Sequence, residues 1–266
     1  MALNLDAIKN RLSQLQNTTT KQSRLWRPQP GKNLIRIVPY KFNRENPFME
    51  MHFHYGMTDA DGRQRSYLSP ISFGRPDPIE EFSTKLKNTG NKEDYQLGKK
   101  LEAKLRTFVP VIVRGEENEG VKFWGFGKTV YQELLGFISD PDYGDISDPT
   151  NGRDVVVEFH TAEETGKSFP STTIRVKPNV TPVSDNKDVI KLIGESQVEI
   201  TEIYTEQSYD DLKTVLSTYL NPEGGEETTT SSTETSDEDK SESAVVSDNR
   251  KTATEAADAF DQLFNN

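Results

Sequence analysis

Apolar residues near the N-terminus fall at Leu5, Ile8, Leu12 and Leu15, the spacing of one helical face, with Lys9 and Arg11 off that stripe. The spacing predicts a short amphipathic helix over 3–16, followed by a polar linker at 17–23. Beyond the linker the period shortens to two. Ile35 and Ile37 alternate with Leu34, Arg36 and Val38, which predicts a strand over 34–38. A second strand is predicted over 48–55. The turn chemistry of Asp59-Ala60-Asp61-Gly62 predicts a hairpin return over 63–68. Residues 69–92 are rich in Pro, Gly, Asn and Ser and read as loop, with a helical turn near 79–86. Leu97, Leu101 and Leu105 form an i, i+4, i+8 row and predict a basic helix over 95–106. Strands at 108–113 and 121–126 follow, then a helix over 129–138 and an acidic, Gly- and Pro-rich loop over 140–153. Strands at 155–160 and 172–177, a short element near 198–204 and a helix over 209–220 complete the body. Many short strands with a few helices predict a mainly β, α+β fold, a small barrel with helical insertions.

The pattern stops at Asn221. From there the chain is Glu, Thr, Ser, Gly and Asp, with too little apolar surface to offset the entropy of ordering, so a disordered tail is predicted. The low hydrophobic share of the whole chain, 32%, has the same origin. One island interrupts the tail. Ala256, Phe260, Leu263 and Phe264 have helical spacing among Glu255, Asp258 and Asp261, an acidic amphipathic motif of the kind that docks into a partner's groove.

Charge divides along the same lines. Residues 221–266 carry twelve acids against three bases, a net −9 of the chain's −11, whereas residues 1–44 carry nine bases against Asp6 alone. A basic front, a near-neutral body and an acidic tail suggest a polyanion partner at one end and a polyanion mimic at the other. The absence of cysteine excludes disulfides, thiolate zinc sites and cysteine nucleophiles. The N-terminus has no continuous apolar run of signal-peptide type, and no stretch reaches the roughly 20 apolar residues of a membrane span, so a soluble, intracellular setting is expected.

No P-loop, G-x-S-x-G or G-x-G-x-x-G is present, and no enzyme is expected. His52 and His54 alternate on a strand and could begin a metal site with Asp59 or Asp61. A convergent third ligand is missing, and two packed or hydrogen-bonded strand histidines are the plainer reading. More informative are bases interleaved with aromatics: Arg63, Arg65 and Tyr67; Tyr95 with Lys99, Lys100, Lys104, Arg106 and Phe108; and Lys122, Phe123, Trp124, Phe126 and Lys128. Cationic side chains that track phosphates, beside aromatic faces that stack on unpaired bases, are what single-stranded nucleic acid requires. Against this stands the reading in which these rings fill a core.

These residues carry a resemblance. Gly31-Lys32-Asn33-Leu34-Ile35-Arg36-Ile37-Val38-Pro39 with Asn46-Pro47-Phe48 resembles the first strand of the T-even-type phage helix-destabilising proteins, the single-stranded-DNA-binding proteins of phage replication, recombination and repair. Asn88 to Tyr95 with Lys99-Lys100, Glu117 to Gly120 with Phe123-Trp124 and Phe126-Gly127-Lys128, and Ser208 to Leu212 are similar to further stretches of that family. The resemblance covers about residues 25–220 in patches.

It implies an OB-fold barrel with an adjoining small subdomain over 25–220, a basic cooperativity segment over 1–24 that includes Lys9 and Arg11, and a disordered acidic partner-binding tail over 221–266. Within the matching motifs, Arg36, Tyr95, Lys99, Lys100 and Trp124 are the expected DNA contacts, joined by Lys41, Arg63, Arg65, Tyr67, Arg106, Phe108, Lys128, Phe169 and Arg175. Phe260, Leu263 and Phe264 are the expected anchors for replication and recombination proteins. His54, in His54-Tyr55-Gly56, lies where the family has a zinc-binding histidine, but the three cysteines of the following stretch are absent. That stretch reads Tyr67-Leu68-Ser69-Pro70 and Gly74-Arg75-Pro76-Asp77-Pro78. No zinc is therefore expected, and Phe53, Leu68, Ile71, Phe73, Ile79 and Phe82 are expected to hold the subdomain by apolar contact.

The sequence thus favours a non-enzymatic protein that coats single-stranded DNA, associates with itself along the strand and acts in the cytoplasm of an infected bacterial host, away from membranes. An RNA-binding OB-fold regulator or chaperone would present the same stacking and phosphate chemistry. A scaffold acting only through its tail would present none of it to nucleic acid. A metal-dependent nuclease built on His52 and His54 lacks the carboxylate cluster a two-metal site needs.

Overall fold

A two-residue strand, β1 (Leu25–Trp26), precedes β2 (Gly31–Ile37), where the alternation read from the sequence becomes a sheet with two covered faces. The computed structural model describes residues 24–58 and 62–220, together with Phe260, Leu263 and Phe264. The helix expected over 3–16, the residues 59–61 of the expected turn and the tail residues 221–259 lie outside these. The further strands are β3 (Met49–Thr58), β4 (Gln64–Leu68), β5 (Lys104–Val113), β6 (Lys122–Phe126), β7 (Arg153–His160) and β8 (Ser171–Val180). The helices are α1 (Pro78–Lys87), α2 (Lys92–Leu101), α3 (Lys128–Ser139), the single turn α4 (Ala162–Thr165), α5 (Lys187–Glu195) and α6 (Tyr209–Leu220). The α+β class is as expected, with parallel and antiparallel pairings both present.

The chain divides into two compact units. The first comprises described residues 24–50 and 106–205. Its strands run in the order β1-β6-β5-β2-β7-β8, and the sheet is not closed. Ile35 and Ile37 turn to one face with Val109, Val111, Trp124, Val155 and Val157, where Val130 and Leu134 of α3 cover them. Val38 and Ile112 are buried with Val183 and with Ile193 of α5. Because each face has its own cover, apolar residues need not alternate, and the run Phe123-Trp124 is buried on both sides of β6.

The second unit comprises residues 51–105 and 206–220 with the three C-terminal residues. β3 and β4 form the expected hairpin, with a register shift between His54 and Met57. The glycine within that shift, Gly56, takes φ +68°, a conformation side-chain-bearing residues rarely adopt. The helical turn expected near 79–86 is a full helix. Asp77 caps α1 by accepting from the N–H groups of Ile79 and Glu80, and Pro78 occupies the first turn. α2 starts and stops earlier than the leucine row suggested. Asn91 caps it at the N-terminus, and Glu102 turns extended (ψ 133°), which delivers Leu105 to β5. α1 and α2 lie close together at Gly98, where a Cβ would sit 2.8 Å from the Ser83 carbonyl oxygen. The core of this unit includes Met57, Ile79, Phe82, Leu86, Leu101, Leu212, Leu216 and Phe260.

Candidate nucleic-acid interface

In the second unit, α2 turns Leu97, Gly98 and Leu101 inward, which leaves its opposite side to solvent. Tyr95 is 48% exposed there, and Lys99 stands one turn on, on the same face. Lys99 Nζ lies 3.0 Å from Glu102 Oε2, and that hydrogen bond and charge raise the ammonium's pKa above its ordinary value. Lys100 is exposed, with its ammonium 5.6 Å from the Tyr219 ring. On the hairpin, Arg63 and Arg65 are exposed and Tyr67 is half-buried opposite His54.

In the first unit, Phe169 is 63% exposed on the approach to β8, and Arg175 is exposed on that edge strand. Lys41 is exposed and donates from Nζ to the Glu195 carbonyl at 3.0 Å. Its ammonium also lies 5.4 Å from the ring of Phe42, an aromatic 49% exposed that the sequence reading passed over. The adjacent Lys41-Phe42 pair, a cation beside an aromatic, was the available signal. Lys128 is exposed at the start of α3, and Arg106 is half-buried, donating to the Gly125 carbonyl at 2.8 Å.

Three expected contacts require correction. Trp124 is only 2% exposed, packed edge-on to Trp26 with ring centroids 5.7 Å apart and tilted against Phe126 at 4.6 Å. Phe108 is buried against the Tyr204 ring at 5.5 Å. Arg36 has no exposure at all, because its face of β2 is covered. Its Nε donates to Asp154 Oδ1 at 3.0 Å and its Nη2 to Thr181 Oγ1 at 2.5 Å, while Arg114 Nη2 shares the same Asp154 oxygen at 2.9 Å. Burial lowers the Arg36 pKa, Asp154 opposes that, and Arg114 adds to it. These three side chains belong to the framework, not to a surface that a strand could touch.

Residues 29–220 match the family described as gp32 DNA binding protein like. The chain belongs to this family. It is a family of DNA-binding proteins, not of enzymes. No curated protein matches the chain. No helix among the described residues is long and apolar enough to cross a membrane.

The zinc that the resemblance attaches to this family finds no fitting donors here. His54 Nδ1 lies 2.7 Å from the Leu101 carbonyl oxygen and Nε2 lies 2.9 Å from Asp77 Oδ2, so both ring nitrogens are engaged. The Ser69 hydroxyl donates to the same Asp77 oxygen. Among the described residues no group of three or more His, Cys, Asp or Glu could hold a metal. His52, which the sequence set on the same face, is half-buried, with its backbone N–H donating to Ser72 Oγ at 2.7 Å. Of the apolar support expected for the gp32-like subdomain, Phe53, Leu68, Ile79 and Phe82 are buried and Ile71 is half-buried, whereas Phe73 is exposed. The His54–Asp77–Ser69 network was missed. Its signal was Asp77-Pro78, a helix cap whose second carboxylate oxygen still needs donors.

Lys9 and Arg11 lie outside the described residues. Phe260 is 5% exposed and Phe264 half-buried, both packed within the second unit, while Leu263 faces solvent.

Proposed function

We propose that this gp32-like chain binds single-stranded DNA without regard to sequence and coats and protects it during phage DNA replication, recombination and repair, in the cytoplasm of the infected bacterial host. The observation that carries this reading is membership of a DNA-binding family over residues 29–220. Exposed rings and cations support it: Tyr95 and Lys99 on one face of α2 with Lys100 beside them in sequence, and, in the other unit, Phe42 beside Lys41 together with the exposed Phe169 and Arg175. Rings of this kind stack on bases of any identity, and the cations follow the phosphates. Arg63, Arg65, Tyr67, Arg106 and Lys128 extend the contact set. The basic segment 1–24 drives cooperative association along the strand. The acidic tail 221–266 recruits replication and recombination proteins and competes with DNA for the binding groove.

The test is a titration of the intact protein with poly(dT), with a duplex and with RNA of matched length and base composition. Tight binding of poly(dT) with weak binding of duplex and RNA is the expected result. RNA bound more tightly than DNA would overturn the DNA assignment, and binding of none of the three would leave a protein scaffold.

A further inference from the structure

The three C-terminal residues described in the structure are separated from Leu220 by 39 residues, whose covalent reach is at most roughly 130–140 Å. The tether therefore does not dictate where the terminus goes; recognition does. Phe260 meets Phe82 of α1 edge-on, with centroids 6.1 Å apart, and stacks obliquely on Phe264 at 4.8 Å. Phe264 in turn meets the ring of Tyr209 in α6 at 6.5 Å. Lys213 of α6 donates from Nζ to the Phe264 carbonyl at 3.1 Å and places its ammonium 5.2 Å from the Phe264 ring. The Tyr209 hydroxyl donates to Glu81 of α1 at 2.7 Å and so ties the two walls together. The site is a groove of rings with a cation at its rim, and the segment it holds carries Glu255, Asp258 and Asp261 in its sequence.

We propose that the groove between α1 and α6 is a receptor for an acidic, aromatic helical segment, and that this chain's own C-terminus is its resident occupant. Phe260 and Phe264 are then not free hooks for other proteins. They are latched in cis, and a partner that recognises them must first draw them out of the groove. Release has a second consequence: the emptied groove becomes available to a like segment of another protein. This inference concerns the second unit alone and stands apart from DNA binding.

The experiment uses a dye-labelled peptide of residues 255–266, titrated with the intact chain and with the full-length double variant Phe260→Ala/Phe264→Ala. The double variant should bind the peptide saturably and at least tenfold more tightly than the intact chain, whose groove is filled. A peptide carrying the same two alanines should bind neither. Equal binding to both proteins, binding to neither, or binding of the alanine peptide would overturn the proposal. If the double variant does not fold, full-length Phe264→Ala, which removes only the half-buried ring, gives the same comparison with the same expected direction. A concentration-dependent dimer of the intact chain that the peptide converts to monomer would show a second copy's segment in the groove and would overturn occupancy in cis.

Discussion

His54 and Asp77 are hydrogen-bonded at 2.9 Å, Nε2 to Oδ2, with both side chains fully withdrawn from solvent. One carboxylate serves two purposes. Oδ2 receives His54 and Ser69, and Oδ1 receives the N–H groups that open α1. The network thus joins β3, the Ser69 turn, α1 and, through Leu101, the end of α2.

Asp77→Asn keeps the shape but substitutes a donor for one acceptor, so a buried partner is left unmatched. Loss of one member of a buried pair costs about 3–5 kcal/mol. The variant should therefore unfold at clearly lower urea than the parent, and chelator should move neither protein's midpoint. A midpoint that falls on chelation would show that metal, not this carboxylate, joins the elements.

Acid should reveal the same group. Burial by itself pushes the Asp77 carboxyl up, but the hydrogen bond and charge of His54, then Ser69 and the Glu80 N–H, outweigh it and hold the carboxyl below its ordinary value. A carboxyl held low in the folded state adds stability above its unfolded pKa of about 4, and that stability drains away as pH falls through the folded value. Stability measured from pH 6 downward should fall below about pH 4 more steeply for the parent than for Asp77→Asn. Parallel curves would remove Asp77 from the account.

Burial also separates two rings that the sequence could not. Trp124→Ala empties a core position and should cost about 3–5 kcal/mol of stability, with DNA affinity changed only as far as folding is lost. Tyr95→Ala should leave the unfolding midpoint nearly unmoved and cost about 1–3 kcal/mol in binding to oligo(dT). The pair is read by urea unfolding and by fluorescence titration of each variant. A Tyr95→Ala protein that binds as the parent does would take α2 out of the interface.

The contrast explains what was legible. The exposure of Tyr95 could be read because an i, i+4 stripe, Leu97 and Leu101, shows which side of α2 must face inward. α6 matched its predicted bounds for the same reason. In a strand, period two distinguishes two faces but does not say whether one or both are covered. The unbroken apolar run Phe123-Trp124-Gly125-Phe126 is the sign that both faces of β6 are buried, although Lys122 and Lys128 flank it. Arg36 is harder still. Its counter-charge, Asp154, lies 118 residues away in sequence, and no local pattern points to it. α5 has no counterpart among the predicted elements, although Ile190 and Ile193 carry helical spacing.

Binding should weaken steeply with salt despite the chain's acidic balance. If roughly four to six phosphates are neutralised, log K should fall against log salt with a slope of about −3 to −4 on single strands. The exposed set Lys41, Arg63, Arg65, Lys99, Lys100 and Arg175 is large enough to supply that number. Replacing Lys99 and Lys100 by Gln should shallow the slope by roughly one to one and a half. An affinity that does not respond to salt would mean that stacking alone holds the strand.

The tail's two proposed actions can be pulled apart because its charge and its rings occupy different residues. Deleting 221–266 would remove both the acids and the docked phenylalanines, so it cannot tell electrostatic competition from loss of the latch. Converting the nine acids between Glu223 and Asp248 to their amides brings the segment 221–266 from −9 to neutral and leaves Phe260 and Phe264 in place. If the tail competes with phosphates for cations, this variant should bind oligo(dT) more tightly than the parent at low salt. The two should converge as salt rises, since exposed charges are screened beyond about 8–10 Å at 0.1–0.15 M. The unfolding midpoint of the second unit should not change, because the rings that fill its groove are untouched. Titration curves that coincide at low salt would end the competitor role and leave the aromatic latch standing.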